Sequence, residues 1–402
     1  MKKTNLYVSL LLSILVIALQ ACKKSNTAAP TVSYTVTVSY PDNYAQTKTN
    51  SAKVTLTNTT TNAKETANTN AEGVATFAAL LPGNYQVSVE KTVSAAEALT
   101  LTGFETEVFL NASATNQFIT ANGNLNLKLS GSKVGGLVFK QIYYTGSRTA
   151  SNGTYFTDQF YEIYNNSTEV IYADSLYLGE SGGSARISAS SIPFAFDKSA
   201  GNVYLTTVWM IPGTGKSHPI KPEESIVISS NGINHKSDAA GNPNSVDLGK
   251  GISDFEGYVA STGKDVDNPD VPNMDLVLFT TSTNNWLTTV FGPSMVIFKT
   301  KNIATYRQLT EPNSTNTRLF MEVPGSVIID AVEANTNAAA VDFKRFPTSL
   351  DAGFQYCSGT YVKEAIVRKV RSTVGGRRVL QDTNNSTNDF TVTKNILPKG
   401  CE

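Results

Sequence analysis

The segment Trp209 to Pro219 contains Gly213-Thr214-Gly215-Lys216-Ser217, which ends like the phosphate-binding loop of a nucleotide hydrolase. That chemistry needs a glycine, four residues and then Gly-Lys-Ser, so that backbone N–H groups curl around the phosphates. The first glycine falls at position 210, which is Met210. A helix must also follow, pointing its N-terminus at the anion, and Pro222 would break it. The spacing instead predicts a loop between two strands, one ending at Trp209 and one at Ile226 to Ile228. No nucleotide partner is expected. Gly179-Glu180-Ser181-Gly182-Gly183 has the letters of a hydrolase nucleophile elbow, which requires a strand-to-helix turn in an alternating α/β chain. No helical face follows it, and the chain holds only His218 and His235 as bases. A Gly-rich turn is the simpler expectation, and the chain is not expected to be an enzyme.

Two other sets of side chains could bind. Asp265, Asp267, Asp270 and Asp275 alternate through a Pro-containing loop, and calcium takes six to eight oxygens from such carboxylates. A calcium site there is one expectation; Asx turns satisfied locally are the other. Asp382, Asn384, Ser386 and Asp389 start like a calcium-binding loop, but Thr387 replaces its turn glycine and Thr393 its bidentate Glu. Tyr143, Tyr144 and Tyr161 lie in a dense aromatic region. Aromatic faces serve ligands and cores alike, so these three are candidate ligand platforms. Arg368, Lys369, Arg371, Arg377 and Arg378 could meet lipid headgroups or an acidic partner, but read more simply as the solvated side of a strand or hairpin, with Asp382 and Asp389 close enough to offset part of the charge.

The ends of the chain set its compartment. Lys2 and Lys3 precede the uncharged apolar run Leu6 to Leu19, a secretory signal too short for a membrane span. Leu19-Gln20-Ala21-Cys22 resembles a bacterial lipobox, which implies acylation of Cys22 and removal of residues 1–21. Residues 22–30 then form a polar tether, and the protein is expected to be an outer-membrane lipoprotein, periplasmic or surface-facing. Outside the cytoplasm there is no ATP pool. Cys357 and Cys401 could pair in such a compartment. With 33 basic and 33 acidic residues there is no charge excess to suggest nucleic acid.

The elements that must position these residues read as strands. Tyr34, Val36, Val38 and Tyr40 alternate with small polar residues, and Asn122-Gly123 reads as a hairpin turn. Ala95 to Leu101 fits a short helix or another strand. In residues 31–130, Gly73, Ala75, Phe77, Leu80 or Leu81, Pro82, Gly83, Tyr85 and Val87 resemble the carboxypeptidase-regulatory or transthyretin-like Ig modules, which implies a non-catalytic spacer. In 131–402, "FYEIYNNS" and "KPEESIVIS" resemble the lamin-tail Ig-like domain. "GSVIIDAVEAN", "KRFPTSLDAGFQYCSGTY" and the stretch from Val367 to Phe390 resemble a family of Gram-negative lipoproteins catalogued only as a numbered domain of unknown function. The expected fold class is all-β, two Ig-like sandwiches with the second larger and elaborated. The expected role is a non-catalytic binding or accessory lipoprotein, with an outer-membrane uptake transporter as the candidate partner. A structural or adhesive surface protein with a calcium site is the alternative.

Overall fold

The computed structural model describes residues 30–41, 44–102, 108–133, 136–167, 169–183, 187–188, 191–237, 241–374 and 377–400. Cys22 and Cys401 lie outside the described residues. The described chain is all-β apart from short helical turns.

Residues 32–133 build the first sandwich. One sheet runs in the order Val74–Leu80, Val32–Ser39, Gly123–Lys128. The other runs Lys64–Asn68, Lys53–Asn58, Gly83–Val93, Val108–Ile119, Ser130–Lys133. Period-two alternation sends Val36, Val38, Val54, Leu56, Val87 and Val89 into the shared core. Ala75, Phe77, Leu80 and Tyr85 join them. Gly73 has φ +77°, and a Cβ there would lie 2.6 Å from the Val38 carbonyl oxygen, so only glycine fits this turn. Ala95–Thr102 is a helix.

The Asn122-Gly123 turn does not close a hairpin. Val108–Ile119 and Gly123–Lys128 belong to different sheets, and the latter pairs in parallel with Val32–Ser39. Leu125 and Leu127 sit beside Val36 and Val38 in register, so they extend the same wall of the core. A turn residue pair signals a reversal of the chain but not the partner of the next strand.

Residues 137–400 build a larger sandwich. Its six-stranded sheet runs Phe255–Glu256, Ser225–Ser229, Phe160–Asn165, Leu137–Tyr143, Ala365–Arg368, Phe390–Thr393. The facing sheet runs Gln308–Thr310, Leu319–Val323, Val203–Met210, Tyr177–Ser181, Ser294–Phe298, Ile328–Glu333, with Asp275–Phe279 also paired to Val203–Met210. Phe139, Tyr161, Ile163 and Ile228 from one sheet meet Leu178, Trp209, Met295, Ile297 and Val332 from the other. Loops cover the outer faces as well. Val246 and Leu248 pack with Tyr143, Phe160 and Val227, and Phe346 packs with Leu205, Val296 and Phe298. Strands buried on both faces lose the polar alternation of a half-exposed sheet.

That double cover corrects the reading of the aromatics as ligand platforms. Tyr143, Tyr144 and Tyr161 are all fully buried. Tyr161 stacks on Trp286 with centroids 5.1 Å apart, and its hydroxyl donates to Thr288 Oγ1 at 2.7 Å. The Tyr143 hydroxyl donates to Asp158 at 3.3 Å, and that of Tyr144 accepts from the Cys357 N–H at 3.3 Å. Each ring fills the core while its polar tip finds a partner, as a buried tyrosine requires.

Candidate functional site

The Gly-Lys-Ser loop does hold an anion, and the anion is part of the chain. Residues 211–218 join the Val203–Met210 strand to Pro219–Ile220. Asp174 Oδ1 accepts from the N–H groups of Gly215 and Ser217 at 2.9 and 2.8 Å, and Oδ2 from that of His218 at 2.9 Å. Gly213, at φ +146°, lets the loop come this close: a Cβ there would lie 2.1 Å from Asp174 Oδ1. Burial raises the carboxyl pKa, but the three N–H bonds outweigh it and hold it well below the usual carboxylate range. Successive N–H groups around a carboxylate form an anion nest, here already filled from the Asp174 side.

The other candidates separate. Ser181 lies on a strand and donates to the Tyr204 carbonyl at 2.9 Å. The His235 ring contacts the Tyr155 hydroxyl and the Asn231 carbonyl, and the His218 ring packs edge-on against Phe255. Glu180, beside Ser181, is buried and accepts from Trp286 Nε1 at 3.2 Å; burial pushes its pKa up to about 7.

The acidic loop does not gather into a calcium cage. Asp265 accepts from the Val259 and Val266 N–H groups, Asp267 from Asn273 Nδ2, and Asp270 pairs with Lys250 at 2.9 Å. Asp275 sits exposed on a strand opposite Met210. Among the described residues no three His, Cys, Asp or Glu side chains are grouped to hold a metal ion. The physical reason is that the carboxylates take separate partners: Asp265 its own turn, Asp267 an asparagine side chain and Asp270 a lysine, while Asp275 stands exposed on a strand. The second calcium-like run is likewise occupied. Asp389 accepts from the Thr383 and Asn385 N–H groups, and Asn385 caps the turn that begins at Ser386. Cys357 is buried, and burial pushes its thiol up to about 12.

Among the described residues a cleft of about 430 Å³ opens where the two sandwiches meet. Asn202, Ser326, Ser349 and Asn384 line it, with Ile328, Ile329 and Leu350 as apolar walls and Ser130 of the first sandwich at its edge. Asp330 also borders it, but its charge is engaged: Oδ2 accepts from the Phe139 N–H at 2.7 Å and from Arg368 at 2.6 Å. The junction is held by the Asn111 amide donating to the Thr383 carbonyl, Asn388 donating to Glu90 at 3.0 Å, and Arg371 lying 3.7 Å over the Phe109 ring. The cleft therefore presents hydroxyls and amides rather than free charge. Pockets of this size between domains are common ligand sites.

The family described as "protein of unknown function (DUF4876)" matches residues 221–396. A solved DUF4876 family protein from Bacteroides thetaiotaomicron VPI-5482 is 30% identical, with 90% of this chain and 94% of that chain covered at a TM-score of 0.57. The chain belongs to the DUF4876 family. More distant structures include a DUF3823 family protein from Parabacteroides merdae ATCC 43184 (12% identity, 50% and 80% coverage, TM-score 0.17). A candidate adhesin from Bacteroides ovatus ATCC 8483 (9% identity, 74% and 86% coverage, TM-score 0.20) is similarly remote. At such TM-scores neither bears on this fold. No curated protein matches the chain.

The stretches that carry the DUF4876 resemblance converge in space. Asp330 and Glu333 come from "GSVIIDAVEAN", Lys344, Arg345 and Asp351 from "KRFPTSLDAGF", and Arg368, Asp382 and Asp389 from the C-terminal stretch. Fully buried Glu333 pairs with Lys344 at 3.0 Å and Arg345 at 3.3 Å. Arg368 faces Asp330, Asp382 and Asp389 at 2.6, 3.3 and 3.7 Å. Its reading as a solvated cation is thus corrected, and the offset by Asp382 and Asp389 is found. One cation cannot balance three buried carboxylates, and burial pushes Asp330 up to about 6 and Asp389 up to about 7. The Arg368 network reaches the cleft through Asp330, which borders it. The cleft residues themselves come from five separated segments, so no local motif could have revealed them.

Proposed function

We propose that this DUF4876 chain is a non-catalytic, lipid-anchored binding protein of the cell envelope. It works at the outer membrane beside an uptake transporter, and its inter-sandwich cleft takes a small uncharged polar ligand. The lining of the cleft carries this reading: Asn202, Ser326, Ser349 and Asn384 offer hydrogen bonds, Ile328 and Leu350 offer apolar contact, and the Asp330 carboxylate is already engaged by Arg368 and the Phe139 N–H. The Leu19–Cys22 lipobox supports the anchor. A non-catalytic role is supported by the engagement of His235, His218 and Ser181 in structural contacts.

Calorimetric titration of the protein with a panel of neutral mono- and oligosaccharides tests the cleft. Binding that disappears in Ser349→Trp, which fills the cleft, is the expected outcome. Binding unchanged by that substitution refutes the site. Recovery of the lipidated protein from gently solubilized membranes tests the partner, and isolation of the lipoprotein alone refutes a stable transporter complex.

A further inference from the structure

We propose that the end of the first sandwich remote from the cleft docks onto the surface of a lipid bilayer, through Phe118 and Leu81. This rests on the lipid-anchor reading of Cys22. Phe118 is 76% exposed and Leu81 52%, unlike the buried Ile119 and Leu80 beside them. Register places them together: Asn84 pairs with Phe118, and Gly83 with Ile119. The first strand begins at the same end, because Val32 pairs with Leu80. The second sandwich is held from the opposite end, through Glu90, Asn111 and Ser130.

The occupant follows from the tether. Residues 22–30 number nine and span at most about 30 Å even when fully extended. An acylated Cys22 therefore keeps the end carrying Phe118 and Leu81 close to the membrane, not the cleft. The turns here are Thr59 to Ala63, Leu81 to Gly83 and Thr120 to Gly123, and none contains a charged residue. An aromatic ring, a leucine and Pro82 among threonines and asparagines match the polar–apolar boundary of a bilayer, where no anionic headgroup is required. The geometry would hold the cleft away from the membrane by the length of the first sandwich.

The test uses the full lipidated chain carrying Phe118→Trp in phosphatidylcholine vesicles, with and without brominated acyl chains. Trp209 and Trp286 are buried and supply a constant background. The introduced indole is expected to emit at shorter wavelength on vesicles and to be quenched severalfold by bromine, and raising the salt should change neither. Water-like emission from vesicle-bound, acylated protein overturns the proposal. Shielding without bromine quenching assigns the tip to a protein neighbor and also overturns it. Mass spectrometry of Cys22 reports separately on the anchor. If Cys22 carries no acyl chain, vesicle binding by the unacylated protein should still fall about tenfold in Leu81→Ser/Phe118→Ser; equal binding by both overturns docking independently of the anchor.

Discussion

Replacing Asp174 by Ala should weaken the fold and open a site for free anions. The carboxylate accepts three backbone N–H groups, from Gly215, Ser217 and His218, at 2.8–2.9 Å. A hydrogen bond to a charged acceptor contributes about 1.5–3 kcal/mol. The loop from Gly213 to Ser217 is exposed, so water can reach the abandoned donors, and the total loss should be about 2–3 kcal/mol rather than three full bonds. Urea unfolding measures it. Phosphate should then enter the vacated nest, where Lys216 is adjacent in sequence and exposed. At phosphate ten times its Kd, the variant should regain about 1.4 kcal/mol, while the native chain, its nest filled, should not respond beyond an ionic-strength control. Asp174→Asn should be intermediate, since one oxygen can still accept from Gly215 and Ser217 while an amide N–H confronts that of His218. The pH arm has a fixed sign. Because the folded pKa is depressed, the stabilization is present above about pH 4 and lost as pH falls through the folded value; Asp174→Ala should flatten that acid limb. A variant as stable as the native chain, or an equal phosphate response in both, would refute the nest.

Burial pushes Glu180, Asp158 and Asp389 up to about 7, so the folded chain keeps protons that the unfolded chain loses near pH 4. This contribution to stability is complete below about pH 4 and declines as pH rises through 7. Glu180→Gln, which keeps an oxygen for Trp286, should raise stability at pH 8 by about 3 kcal/mol and flatten the decline; an unchanged pH profile of the melting temperature would count against it. Arg368→Met should destabilize by about 3–5 kcal/mol in urea, because it strands three buried carboxyls; a loss under about 1 kcal/mol would refute Arg368 as the group that holds them. The peptide containing Cys357 should resist alkylation in the folded protein and label at the rate of unfolding, which peptide mass spectrometry follows.

How much of this was legible in the sequence depends on how local each signal is. Alternation marked Tyr34 to Tyr40 as a strand, and the glycine at 73 and the Leu-Pro-Gly-Asn-Tyr run marked the turns of the first sandwich, because these reflect one strand and its immediate neighbors. In the larger sandwich the same rule misled. Phe160–Asn165 is buried along its whole length, so Tyr161 serves the inner core and Phe160 the covered outer face. The covering residues, Val246 and Leu248, lie more than eighty positions away, and nothing near Tyr161 announces them. The aspartates failed for a related reason. A carboxylate in a turn has two possible partners, a shared cation or the turn's own N–H groups, and spacing does not choose between them. The loop at 213–217 joins both limits. Its glycines and Gly-Lys-Ser ending were read correctly as a bend between strands, yet the sequence also carried a true hint of anion binding. The anion was Asp174, about forty residues upstream, in a stretch with no feature to distinguish it. A loop motif reports what its backbone can hold, and the fold decides whether a ligand or the chain itself supplies it.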